Sequence, residues 1–194
     1  FAPTLADLQQ LERQHGDSFD FFHTSSAFMR AGELASEGGQ ADDLWPLLRR
    51  LWQRLRPQLD TCGPRALANI VWACGKCAYA EAALLDACLA RLTASSELTS
   101  QGCCNAIYGA ALLWDSGYRI SEERAQALVA ALVQKREEAK PQDLANTLWA
   151  AATMGLQVPE QQVQELMTAL VQTRKEATPQ ELANALWAAA TMGQ

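Results

Sequence analysis

The sequence predicts an all-α chain: a right-handed α-solenoid of stacked antiparallel helix pairs with a period of about 38 residues. Three observations carry this. First, Pro141-Gln-Asp-Leu-Ala-Asn-Thr-Leu-Trp-Ala-Ala-Ala-Thr-Met-Gly155 returns 38 residues later as Pro179 to Gly193, altered only at Asp143/Glu181 and Thr147/Ala185. A self-match at a fixed period is the mark of a repeat array. Second, each copy has the grammar of a helix, with Pro at the start, an acid in the first turn, Ala and Leu inside and Gly past the end. Third, Ala125, Leu128, Val129, Leu132 and Val133 return, each 38 residues on, as Val163, Leu166, Met167, Leu170 and Val171. Their spacing is the buried stripe of an amphipathic helix. One helix pair cannot bury such a face alone, so pairs stack on their neighbours.

Taken in order, Thr4 caps a helix from Leu5 to about Gln14, which Gly16 stops. A second helix runs from about Asp20 to Leu34, and Gly38-Gly39 breaks it. The third starts at Asp42 or Asp43, carries Pro46 in its first turn, buries Leu44, Leu47, Leu48, Leu51 and Leu55, and ends at Pro57. Regular pairs follow, each with a first helix (A) and a second (B). The A helices cover Pro64–Lys76, Ser100–Leu113, Pro141–Met154 and Pro179–Met192. The B helices cover about Glu81–Thr93, Ser121–Glu138 and Pro159–Glu176. One continuous solenoid domain results: a lead-in and degenerate first repeat over 1–60, repeats over 61–97, 98–138 and 139–176, and the first helix of an incomplete repeat over 177–194. Leu182, Leu186 and Met192 lack a partner helix there, so further repeats or another chain are expected to cover them.

Composition narrows the classes. With 49% apolar residues the chain folds. Its net charge of −6 mixes 22 acids with 16 bases and leaves no basic tail, which counts against a simple electrostatic nucleic-acid binder. The most apolar stretch, Cys103 to Trp114, is too short to span a bilayer. No charged segment followed by an apolar run opens the chain at Phe1, so no secretory signal is expected. The cysteines at 62, 74, 77, 88, 103 and 104 fall at core or small-residue positions, which suits a reducing compartment. Cys74-x-x-Cys77 has no second pair to complete a zinc site. It stands where later repeats carry Ala151 and Met154, so helix packing accounts for it. His15 and His23 complete no nucleophilic constellation, and no phosphate-binding glycine loop appears. Neither an enzyme nor a cofactor is expected.

The string Pro-Gln-Asp/Glu-Leu-Ala-Asn-x-Leu-Trp-Ala-x-Ala-x-Met-Gly at this period resembles the octotricopeptide repeat family across residues 64–194. Residues 5–60, including Ser25 to Leu34, resemble a degenerate first repeat. The resemblance implies a paired-helix solenoid in a chloroplast or mitochondrion that acts on organellar RNA.

Positions i, i+4, i+7 and i+11 of each A helix fall on one line. They read Arg65, Asn69, Trp72, Lys76; then Gln101, Asn105, Tyr108, Leu112; then Gln142, Asn146, Trp149, Thr153; then Gln180, Asn184, Trp187, Thr191. Such a ladder can stack bases on its rings and read their edges with its amides. It can equally be the seam between repeats, with Trp packed between A helices and Asn bonding across. The slots that vary are the better readers: Ala66, Gly102, Asp143, Glu181, and Ile70, Ala106, Thr147, Ala185. Phosphate affinity needs cations. The best cluster is Arg49, Arg50, Arg54 and Arg56, with Arg65 near. Lys135, Arg136, Lys140, Arg174 and Lys175 instead suit the C-termini of B helices. Two roles follow: single-stranded organellar RNA binding, with a positive concave face, or a protein-binding scaffold in a larger organellar complex. Surplus tryptophans such as Trp45 and Trp52 favour the second.

Overall fold

The computed structural model describes residues 2–193. Phe1, where the sequence begins, and Gln194, where the incomplete repeat stops, lie outside them. Among the described residues there are ten α-helices and no strand: α1 (Leu5–His15), α2 (Phe21–Ser36), α3 (Ala41–Leu55), α4 (Pro64–Lys76), α5 (Ala82–Thr93), α6 (Ser100–Leu112), α7 (Glu122–Gln134), α8 (Pro141–Thr153), α9 (Glu160–Gln172) and α10 (Pro179–Thr191). No helix of the described residues is long and apolar enough to cross a membrane.

The helix ends follow local chemistry. Thr4 and Asp7 form a reciprocal cap on α1, with Asp7 N–H donating to Thr4 Oγ1 at 3.2 Å and Thr4 N–H to Asp7 Oδ2 at 3.1 Å. Asp20 and Thr99 accept the His23 and Gly102 amides at the starts of α2 and α6. Pro64, Pro141 and Pro179 occupy first-turn positions that need no N–H donor. At the other end, the Tyr79 amide returns to the Cys74 carbonyl at 2.9 Å, and the Leu156 amide to Ala151 at 3.0 Å. Both closures pass through a left-handed residue, Ala78 at φ +49° and Gly155 at φ +62°.

Four helix ends differ from expectation. Gly16 does not stop α1 with a left-handed turn: its φ is −58°, and a short 3-10 turn follows. α3 begins at Ala41, ahead of the expected cap, which puts Pro46 in its second turn. The B helices α7 and α9 stop at Gln134 and Gln172, short of the expected Glu138 and Glu176. A 3-10 turn over Arg136–Glu138 follows α7, and its charges are exposed or half-buried, so no apolar stripe extends the helix.

Packing makes an α-solenoid of two layers. In one layer α2, α4, α6, α8 and α10 each pack on the next. In the other, α3, α5, α7 and α9 pair with α2, α4, α6 and α8, and α5, α7 and α9 also touch in sequence. One continuous core runs between the layers, from Phe28 and Leu44 through Leu67, Leu85, Ile107, Leu128 and Leu148 to Leu170. α1 closes the first end. Its Glu12 is 1% exposed and is held by Arg50 Nε at 2.7 Å and Arg54 Nε at 3.1 Å, both on α3.

Candidate nucleic-acid interface

The A layer exposes one line of polar and aromatic side chains because each A helix presents the same positions to the same side. A groove of about 640 Å³ lies along this line. It gathers Trp72 and Lys76 from α4, Tyr108 from α6, Gln142 and Asn146 from α8, and Gln180 and Asn184 from α10. Five predicted residues, Lys76, Gln142, Asn146, Gln180 and Asn184, therefore share one surface. Asn69 lines a second depression of about 860 Å³ farther along, where Ser26, Met29 and Glu33 of α2 continue the line under α1.

The rings are arranged in two different ways. Tyr108 and Trp149 touch, with centroids 5.4 Å apart and planes tilted by 54°. Trp72 and Tyr108 are instead separated by Lys76, whose ammonium lies 5.8 Å from the first centroid and 5.2 Å from the second. A cation over two ring faces is held by both quadrupoles. The amides do seam work as well. Asn105 Nδ2 donates to Asn69 Oδ1 at 3.1 Å across the α4–α6 joint, and the Asn146 side chain meets the buried Cys104 thiol across the α6–α8 joint. Asn184 accepts from Gln180 of its own helix at 2.8 Å.

Several expectations fail here. The groove is not basic: Glu33, Glu37 and Glu181 line it, with Lys76 as the one cation among the described residues. The arginine cluster divides and faces away. Arg50 and Arg54 hold Glu12, and Arg54 also pairs with Asp17 at 2.7 Å, so they serve the α1–α3 joint. Arg49 is exposed on α3, in the other layer, and Arg56 is exposed in the 3-10 turn just after it. Arg65 is exposed at the far end of α4 and does not line the groove. Thr147 is 0% exposed and cannot meet a ligand, and its row mates Ile70, Ala106 and Ala185 are equally buried. That row faces the core, so its variation adjusts volume. Asp143 is also buried, and its carboxyl accepts the Lys140 amide at 3.2 Å. Burial pushes the Asp143 carboxyl above its usual range, against the lowering effect of that hydrogen bond.

The end face narrows too. Leu186 is 64% exposed, whereas Leu182 and Met192 are half-buried against the core. Trp187, 48% exposed, joins Leu186 instead.

Sequence reasoning missed the acids of the groove. Glu33 lies on α2 and Glu37 caps its end, and this degenerate repeat has Ser26 and Met29 where later repeats have Asn and an aromatic ring, so its rungs do not stand out as part of the ladder. Both carboxylates are paired with Arg30, at 3.0 Å each.

Residues 85–194, more than half of the chain, match the family described as Tbc2 translation factor, N-terminal domain. No curated protein matches the chain.

Proposed function

Because the chain belongs to the family of the Tbc2 translation factor N-terminal domain, we propose that it is a non-enzymatic RNA-handling module of translation whose A-layer groove binds single-stranded RNA. One observation carries this reading: rings and amides from α4, α6, α8 and α10 meet on one open surface. Trp72 and Tyr108 are half-buried and open to the groove; a ring open to a groove can stack on any base, and neighbouring amides match base edges. The repeat string and its 38-residue period support reading the repeat as octotricopeptide-like. A chloroplast or mitochondrial location is part of this proposal and rests on that resemblance alone.

Fluorescence anisotropy with a labelled single-stranded RNA tests the groove. Stacking contributes about 1–3 kcal/mol per base, so Trp72→Ala with Tyr108→Ala weakens binding by about tenfold or more. Wild-type protein with no affinity at micromolar concentration counts against the proposal.

The second reading, a protein scaffold, has its own observation. Leu186 and Trp187 stand open on α10, while their repeat mates Leu148 and Trp149 are 1% exposed and half-buried. On this reading the face seats another helix pair, from further repeats or from another chain. The protein then stays with its assembly when RNA is digested, and release by nuclease would exclude that role.

A further inference from the structure

We propose that Lys76 is the groove's phosphate contact, and that every other hold on the strand is uncharged, so binding depends on salt as if about one phosphate were neutralised. This rests on the reading of the groove as an RNA site.

The inference starts from the groove's charges, taken one at a time. Glu33 and Glu37 are both engaged by Arg30, with its Nη1 at 3.0 Å from each. Glu181 accepts the Thr178 amide at 2.7 Å in the cap of α10, where the helix dipole favours a negative charge. Glu33 and Glu37 thus share one guanidinium, and Glu181 is held by an amide, so the acids keep a negative balance but are each fixed in place. Lys76 has no such partner: among the described residues it forms no ion pair, and only the Trp72 and Tyr108 rings face it. Rings do not cancel a charge, so this ammonium is the one attractive point for a phosphate in a lining that is otherwise acidic and turns the other phosphates toward solvent.

Its place in the ladder is also particular. The same rung holds Leu112, Thr153 and Thr191 in the other repeats. A lysine is therefore not needed for this rung to pack. It stands between two ring faces that would each accept a base, and a stacked nucleotide carries its phosphate one sugar away from its base. The ammonium, on a flexible four-carbon stem, reaches a phosphate there without leaving the rings. The remaining lining residues that can touch RNA, Gln142, Asn146, Gln180 and Asn184, carry no charge. The strand then lies with bases inward and most phosphates toward solvent.

The test is a salt titration of binding, by anisotropy, with the whole chain and a labelled uridine-rich single strand. Each phosphate neutralised on a single strand contributes about 0.7 to the slope of log K against log salt. Wild type is expected to show a slope near −0.7. Lys76→Gln flattens it and weakens binding most at low salt, and Lys76→Arg keeps it. Trp72→Leu lowers affinity equally at all salt concentrations and leaves the slope alone. A steep wild-type slope, or a Lys76→Gln slope equal to wild type, overturns the inference while the RNA reading stands. Absence of wild-type binding at any salt overturns both. Thermal melts of each variant confirm that the fold is intact.

Discussion

The backbones of α4 and α6 meet at Gly75 and Gly109. A methyl group built on Gly75 would lie 2.6 Å from the Gly109 carbonyl oxygen, and one on Gly109 would lie 2.5 Å from the Val71 carbonyl oxygen. No side chain is there to yield, so only the absence of Cβ allows this approach. Gly109→Ala must push the two helices apart, and overpacking of this kind costs about 1–3 kcal/mol. Chemical denaturation is expected to show that loss. The rung of Asn69 and Asn105 crosses the same joint, so their 3.1 Å hydrogen bond lengthens too.

Leu148 and Leu186 are the same residue of the same repeat string, yet one is 1% exposed and the other 64%. Truncating the first, Leu148→Ala, is expected to cost about 2–5 kcal/mol. Leu186→Ala stays within about 0.5 kcal/mol, as exposed substitutions do. Paired denaturation curves check this. Equal losses would mean that something already covers α10 in solution.

Glu12 is the buried centre of the α1 joint. Glu12→Ala leaves Arg50 and Arg54 without their shared acceptor, a loss of roughly 2 kcal/mol for hydrogen bonds to charged groups. The expected result is local: amide exchange in residues 5–15 speeds up, while α4, α6 and α8 keep their protection.

Burial raises the thiols of Cys77 and Cys88 to about 12 and that of Cys103 to about 11, from an ordinary value of 9.0. Native protein at pH 8 is therefore expected to resist iodoacetamide at all three, and to react fully once denatured. The same shifts set an alkaline limit. Between pH 9 and the raised values the unfolded chain has already lost protons that the folded chain retains. Stability contributed below pH 9 is accordingly lost as pH rises through that window. Thermal melts from pH 8 to 11 should fall more steeply for wild type than for Cys77→Ala with Cys88→Ala.

Asp143 has its carboxyl raised from 3.8 by burial. Above 3.8 the unfolded chain ionises first, so the contribution of this group to stability falls as pH climbs from 3.8 through its folded value. Asp143→Asn keeps an acceptor for the Lys140 amide and removes that fall. Its melting temperature is expected to hold through mildly acidic pH, where wild type declines. Parallel declines in both proteins would show that Asp143 is not the source.

The layers were legible because a repeat states the same local problem several times. Pro64, Pro141 and Pro179 start helices and Gly155 ends one, and Val163, Leu166 and Leu170 of the second stripe face inward as their mates do, whereas Val171 is 53% exposed where its mate Val133 is buried. What the string could not convey was direction around each helix. The position after the ladder Asn varies among Ile70, Ala106, Thr147 and Ala185, and in a sequence such variation looks like recognition. In the fold that position turns into the core, and the four residues fit spaces of different size. Nor could the string show that Arg50 would meet Glu12, 38 residues earlier. A charged pair so far apart leaves no periodic trace, so four arginines read as a binding cluster when two were structural. B-helix ends were overrun for a related reason: Lys135 to Glu138 keep helix-friendly residues after the apolar stripe has stopped.

Two helices of nearly one sequence, α8 and α10, sit side by side in the same layer, and α10 covers a face on α8 that it also carries itself. Duplicating or deleting a 38-residue unit between them would leave both surviving joints chemically unchanged. Length in this architecture is thus open to change by recombination without any compensating substitution. The reach of its ladder can grow or shrink in whole steps of one rung.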